Sequence, residues 1–170
     1  MLITADGGRI LDFEQLMRLH ETRVLRIAWR ITGNLADAQD VAQEAFLRLH
    51  KNIKAFSEPE MVLPWLRRVT VNLCIDQKRR PATVPLDGLT LVHNRPDPER
   101  AAALREAADH LQQALAELGE RERAALVLHD LEGLSSAEAA EVLGTTESTI
   151  RVQTSRARLK LRRLLQGANA

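Results

Sequence analysis

The run SSAEAAEVLGTTESTIRVQTSRARLKLRRLL occupies residues 135–165. Ser135 and Glu138 have the S-x-x-E spacing of a capping box, which starts a short helix ending near Leu143. Gly144, Thr145 and Thr146 then make a tight turn, and Thr145 or Thr146 caps a longer basic helix reaching about Leu165. Short helix, glycine-containing turn and longer basic helix make up the helix-turn-helix pattern, whose second helix enters the DNA major groove. On that helix Ile150, Ala157, Leu161 and Leu164 share an inward stripe, and Arg151, Ser155, Arg158 and Arg162 share an outward one. Ser148, Thr149, Arg151, Val152 and Gln153 lie where recognition helices reach base edges. Arg156, Arg158, Lys160, Arg162 and Arg163 suit phosphates.

Upstream of this run the chain stays helical. An Ala-rich helix from near Arg105 breaks at Gly119, and a second runs from Glu120 to about Leu131. Before these, Pro81, Pro85, Pro96 and Pro98 crowd a stretch without helical period, which reads as a linker over 81–104. The first part of the chain carries three helical patterns. Asp12 and Gln15 have capping-box spacing ahead of Phe13, and Thr32, Gly33 and Asn34 end that helix. Asn34 caps a second, with Ala38, Val41, Ala42, Ala45, Phe46 and Leu49 inward and Asp37, Asp40 and Glu44 opposite. The third runs from about Pro64 to Arg80. The expected fold is all-α, two small helical domains at 13–80 and 105–166 behind an N-terminal extension, 1–12.

The 170 residues carry 24 Lys+Arg against 23 Asp+Glu, a formal charge of +1, but the distribution is uneven. Residues 13–80 hold a net +4, residues 101–147 a net −7, and residues 148–170 six basic side chains and no acidic one. Five of the basic residues fall between Arg67 and Arg80, so WLRRVTVNLCIDQKRR (65–80) offers a second nucleic-acid surface through Arg68, Asn72, Lys78, Arg79 and Arg80. Trp65 reads as core before it reads as a base-stacking platform. With 3% aromatic residues and no tyrosine, a general single-strand binder is disfavoured. One cysteine cannot make an internal disulfide, and Cys74 reads as an inert core thiol. The five histidines are scattered without ligand spacing, so surface or half-buried roles are expected. No metal, cofactor or catalytic constellation is expected. The single cysteine points to a reducing compartment, with the cytoplasm as the default, and the lack of a long apolar run to a protein neither exported nor inserted in a membrane.

Together ITGNLADAQDVAQEAFLRLH (31–50), WLRRVTVNLCIDQKRR, the proline-rich linker and residues 117–165 resemble the extracytoplasmic-function (ECF) sigma factors of bacterial RNA polymerase. The resemblance covers about 13–80 and 106–165. It implies that Asp37, Asp40, Gln43, Glu44, Phe46 and Leu47 dock on core RNA polymerase. It also implies that Trp65, Arg68, Asn72, Asp76, Lys78, Arg79 and Arg80 meet the −10 element of promoter DNA, with the loop at about 56–63 capturing a flipped base. For the −35 element the implied contacts are Ser148, Thr149, Arg151, Val152, Gln153, Ser155, Arg156 and Arg158. A monomer when free, an anti-sigma factor as a further partner, and poor promoter binding without polymerase complete the expectation. Two other classes fit parts of the pattern. A dimeric helix-turn-helix regulator would bind DNA without core polymerase, and a sigma-like module would bind only an anti-sigma protein.

Relatives often carry a Gly-Thr-Val-Lys-Ser-Arg run where this chain has Ser148–Gln153, which implies an altered −35 preference. A valine can contact a thymine methyl and a glutamine can pair with adenine. Selection from randomised −35 sequences is expected to return A·T-containing steps opposite Val152 and Gln153; a uniformly G·C-rich optimum contradicts this.

Overall fold

The computed structural model describes residues 11–78 and 98–167, with side chains over 11–77 and 105–166. The chain divides into two compact units between Pro85 and Leu86. Among the described residues both are helical, and no strand occurs.

In the first unit α1 spans Phe13–Thr32, α2 Leu35–Asn52 and α3 Val62–Lys78, with short 3-10 turns at Ile53–Ala55 and Pro59–Met61. Asp12 caps α1 by accepting the Glu14 N–H at 3.0 Å, one residue before the position a capping box with Gln15 would use. Gly33 closes the helix at φ 88°, a conformation open to glycine at no steric cost. Asn34 then caps α2 by accepting the Asp37 N–H at 2.7 Å. The three helices pack on one another. Their core holds Leu16, Val24, Ala42, Ala45, Phe46, Leu49, Val62 and Leu66, and Ile27, Ile31, Val71 and Cys74 are also buried. Thr70 is buried among them because its hydroxyl donates to the Leu66 carbonyl at 2.7 Å.

The second unit comprises α4 Pro98–Ala116, α5 Glu120–Leu126, α6 Ser136–Leu143 and α7 Glu147–Gly167. Helix α4 starts at Pro98 rather than near Arg105, because proline fits a first helical position where the N–H has no partner. A π-turn, Val127–Leu131, extends α5. It closes as the Glu132 N–H donates to the Val127 carbonyl, 2.9 Å away. Ser135 and Glu138 form both bonds of the capping box, and Gly144 ends α6 at φ 59°. Thr146 caps α7, accepting the Thr149 N–H at 3.2 Å. The core joins Leu115, Leu118, Leu126 and Ala157, with Leu111, Leu131 and Leu161 against it. Leu164 does not complete the inward stripe of α7. It is exposed, because the packing of α7 thins after Leu161.

His20 departs from the expected surface or half-buried role and is buried on α1, with Nε2 enclosed and unpartnered. Burial, and then the Arg23 and Arg67 charges, lower its pKa from the usual value. Neutral His20 is therefore favoured in the fold, and the unfolded chain binds more protons below about pH 6.5. Stability is whole above that pH and declines as pH falls toward the folded pKa. Both tryptophans, Trp29 and Trp65, lie in this unit, so their fluorescence reports its unfolding. Urea midpoints are expected to fall between pH 7 and 5 in the parent chain and to change less in His20→Leu.

Candidate nucleic-acid interface

The helix-turn-helix consists of α6, the turn Gly144–Thr146 and α7. The Thr146 hydroxyl also shares hydrogen bonds of 2.9 Å with the hydroxyls of Ser148 and Thr149. Two candidate base readers thereby stiffen the start of the helix that they sit on. Ser148, Arg151, Val152, Ser155, Arg156, Arg162 and Arg163 are exposed. Thr149 and Gln153 are half-buried, and the Gln153 side-chain oxygen is enclosed without a hydrogen-bond partner. Ile150, Thr154 and Ala157 are buried on the opposite side, where Thr154 donates its hydroxyl to the Ile150 carbonyl at 2.9 Å. The exposed side of α7 thus centres on Val152 and Leu159, 49% and 50% exposed, flanked by Ser155, Arg156 and Arg163.

Three of the cations on α7 have carboxylate partners. Arg151 donates to Glu147 at 2.7 Å, one turn away on the same helix. Arg158 forms a fork with Asp130, Nε to Oδ2 at 2.7 Å and Nη2 to Oδ1 at 2.6 Å. Lys160 reaches Glu122 at 2.6 Å. The Arg158 hydrogen bond is the main reason that the Asp130 carboxyl titrates below its usual range, and the Lys160 bond acts likewise on Glu122. Sequence reading missed Asp130 and Glu122, since pairs 28 and 38 residues apart leave no periodic signal.

On the first unit, Arg68, Asn72 and Asp76 recur every four residues of α3 and are exposed together. Trp65 is half-buried, its ring edge-on to Phe56 with centroids 5.4 Å apart. Arg79, Arg80 and the Lys78 side chain lie outside the described residues.

Helix α2 divides its six sequence candidates. Asp40 and Gln43 are exposed, and Leu47 is 50% exposed, a large apolar side chain left in water. Glu44 is half-buried and accepts the Arg48 Nε at 2.7 Å. Asp37 is also half-buried, accepting the side-chain amides of Asn34 and, from α3, of Gln77 at 3.1 Å. Phe46 is a correction: it is 7% exposed inside the core, because it shares the inward stripe with Ala42 and Leu49. Asp40, Glu44 and Arg48 line an open groove with Leu73, Asp76 and Gln77 of α3.

Family comparisons match this chain twice, with sigma-70 region 2 over residues 16–83 and sigma-70 region 4 over residues 108–161. The ECF RNA polymerase sigma factor SigM of Mycobacterium tuberculosis is 37% identical over 159 residues, 94% of this chain and 80% of that protein. The ECF RNA polymerase sigma factor SigE of Mycolicibacterium smegmatis is 35% identical over 164 residues. That match takes in 94% of this chain but 63% of the relative, so the chain spans less than two thirds of SigE. Among solved structures, CnrH in complex with the cytosolic domain of CnrY aligns with a TM-score of 0.65 at 27% identity, covering 91% of this chain and 88% of that chain.

The neighbours Phe46 and Leu47 separate a packed side chain from an exposed one. Phe46→Ala is expected to cost about 3–5 kcal/mol of stability, and Leu47→Ala to stay within about 0.5 kcal/mol. Urea unfolding followed by tryptophan fluorescence checks both.

Proposed function

The chain belongs to the ECF sigma factor family, and from that premise we propose that it binds core RNA polymerase, directs it to a promoter through −10 and −35 elements, and assists opening of the −10 region. The observation that carries this reading is the order of the two family matches. Region 2 falls on the three-helix unit and region 4 on the helix-turn-helix unit. In this reading Asp40, Gln43 and Leu47 dock on polymerase, with Glu44 and Asp37 beside them. Arg68, Asn72 and Asp76 meet the −10 region, continued by Lys78, Arg79 and Arg80. Ser148, Arg151, Val152 and Ser155 face the −35 bases, and Arg156, Arg162 and Arg163 the phosphates.

Acidic and apolar residues adjacent on one exposed helix face suit a protein partner, whereas DNA repels carboxylates. That division favours a polymerase subunit over a regulator that meets DNA alone. The chain acts by binding, and RNA synthesis remains the chemistry of the polymerase. Its place is the cytoplasm, where the polymerase works. No helix among the described residues is long and apolar enough to cross a membrane. The likeness to CnrH, solved in complex with the cytosolic domain of CnrY, supports a further protein partner besides polymerase, which we read as an anti-sigma factor.

Asp40 is exposed and its removal leaves the core of the unit untouched. Asp40→Ala is expected to weaken binding to core polymerase by about tenfold, the loss of roughly 1.4 kcal/mol at an interface. Fluorescence anisotropy of labelled chain titrated with core enzyme measures this, and promoter-specific run-off transcription should fall in parallel. Unchanged affinity, with unchanged run-off, would remove Asp40 from the docking surface.

A further inference from the structure

Arg158 and Lys160 belong to a run of basic residues that, by sequence, all suit phosphate contacts. In the structure both instead reach back to the α5 segment, Arg158 to Asp130 in the π-turn and Lys160 to Glu122 in the first turn. Their position on α7 is informative. At about 100° per residue, Ala157 and Leu161 mark the inward direction, with Arg158 and Lys160 roughly 80° to either side. The two ion pairs therefore grip α7 on opposite flanks of its apolar stripe, and both carboxylates come from one continuous helical segment.

The need for such a grip follows from the packing. Ile150 and Ala157 are fully buried, but Leu161 is half-buried and Leu164 and Leu165 are exposed. Over this half of α7 the apolar stripe is narrow and ends in alanine and a partly covered leucine, which resist rotation weakly. We infer that the Arg158–Asp130 fork and the Lys160–Glu122 pair form a two-point strap that fixes the rotation of α7 about its own axis. Arg158 and Asp130 are thus positioning residues for promoter reading, and Arg158 is not a DNA contact. This rests on the reading of α7 as the −35 helix. Orientation is worth fixing, since a turn of about 20° moves side chains on a surface of about 5–6 Å radius by about 2 Å, beyond hydrogen-bond tolerance. The planar guanidinium suits this role, because a bidentate pair constrains angle as well as distance. Exposed ion pairs add little to folding stability, so the consequence falls on selectivity.

The experiment uses holoenzyme reconstituted from core polymerase and the full chain. Binding is compared on a promoter carrying the selected −35 element and on one with that element scrambled, across a salt series. Arg158→Lys keeps the charge but loses the fork, and is expected to reduce −35 discrimination by about threefold; Arg158→Ala should reduce it by about tenfold. Neither should alter the dependence of log affinity on log salt. The reversed pair, Asp130→Arg with Arg158→Asp, is expected to restore discrimination while each half alone does not. The inference is overturned if Arg158→Lys matches the parent and Arg158→Ala lowers the salt slope by about 0.9, the signature of one lost phosphate contact. It is also overturned if the reversed pair is folded and polymerase-bound yet fails to discriminate. A parent holoenzyme indifferent to the −35 element would instead remove the reading of α7 on which the inference stands.

Discussion

A residue that faces the core of a small helical unit is lost to recognition, and an α-helix advances about 100° per residue. Phe46 and Leu47 therefore serve different ends, the first being 7% and the second 50% exposed. The same division governs α7, where Ala157 is buried while Val152 and Leu159 stand in solvent. With seven α-helices and no strand described, residues divide between stripes that pack and stripes that stand in solvent. Every functional assignment on this molecule reduces to which stripe a residue occupies.

The ends of the helices decide where those stripes point. Gly33 and Gly144 adopt positive φ, letting the chain leave α1 and α6 sharply. Asn34, Ser135 and Thr146 cap the helices that follow, satisfying N–H groups that have no helical partner. Two residues between α1 and α2, and three between α6 and α7, leave little freedom in how each pair sits. On α2 and α3 the Asp37–Gln77 bond adds a polar tie. It joins the helix proposed to face polymerase to the helix proposed to meet the −10 element.

Much of this was legible in the sequence, for a physical reason. Caps, glycine turns and apolar periodicity are local codes, and they placed α1, α2, α6 and α7 within a few residues. What escaped is what depends on distant partners. The start of α4 at Pro98 was hidden because a proline cluster reads as a linker, although proline also suits a first helical turn. The exposure of Leu164 could not be read from spacing, since a periodic leucine is buried only where a second helix covers it. Phe46 was placed on a docking face by family resemblance while its own periodicity already put it with Ala42 and Leu49. His20 and the partners of Arg158 and Lys160 needed the tertiary structure altogether.

Net charge +1 acquires a structural meaning from those last pairs. Residues 101–147 carry the acidic excess and residues 148–170 the basic one, and the structure brings them together. Glu122, Asp130 and Glu147 engage Lys160, Arg158 and Arg151. Arg156, Arg162 and Arg163 lie on α7 without a described ion pair. Each phosphate neutralised raises affinity by a salt-dependent increment, so three such cations support a weak contact. A second weak contact on α3 gains from being carried on the same chain, because linkage turns it into an intramolecular event at high effective concentration. On the proposed function, a chain built this way is expected to hold DNA poorly when free and well when polymerase presents both surfaces to one promoter. In that reading the intramolecular carboxylates limit what α7 can do alone, and occupancy of DNA depends on the larger partner.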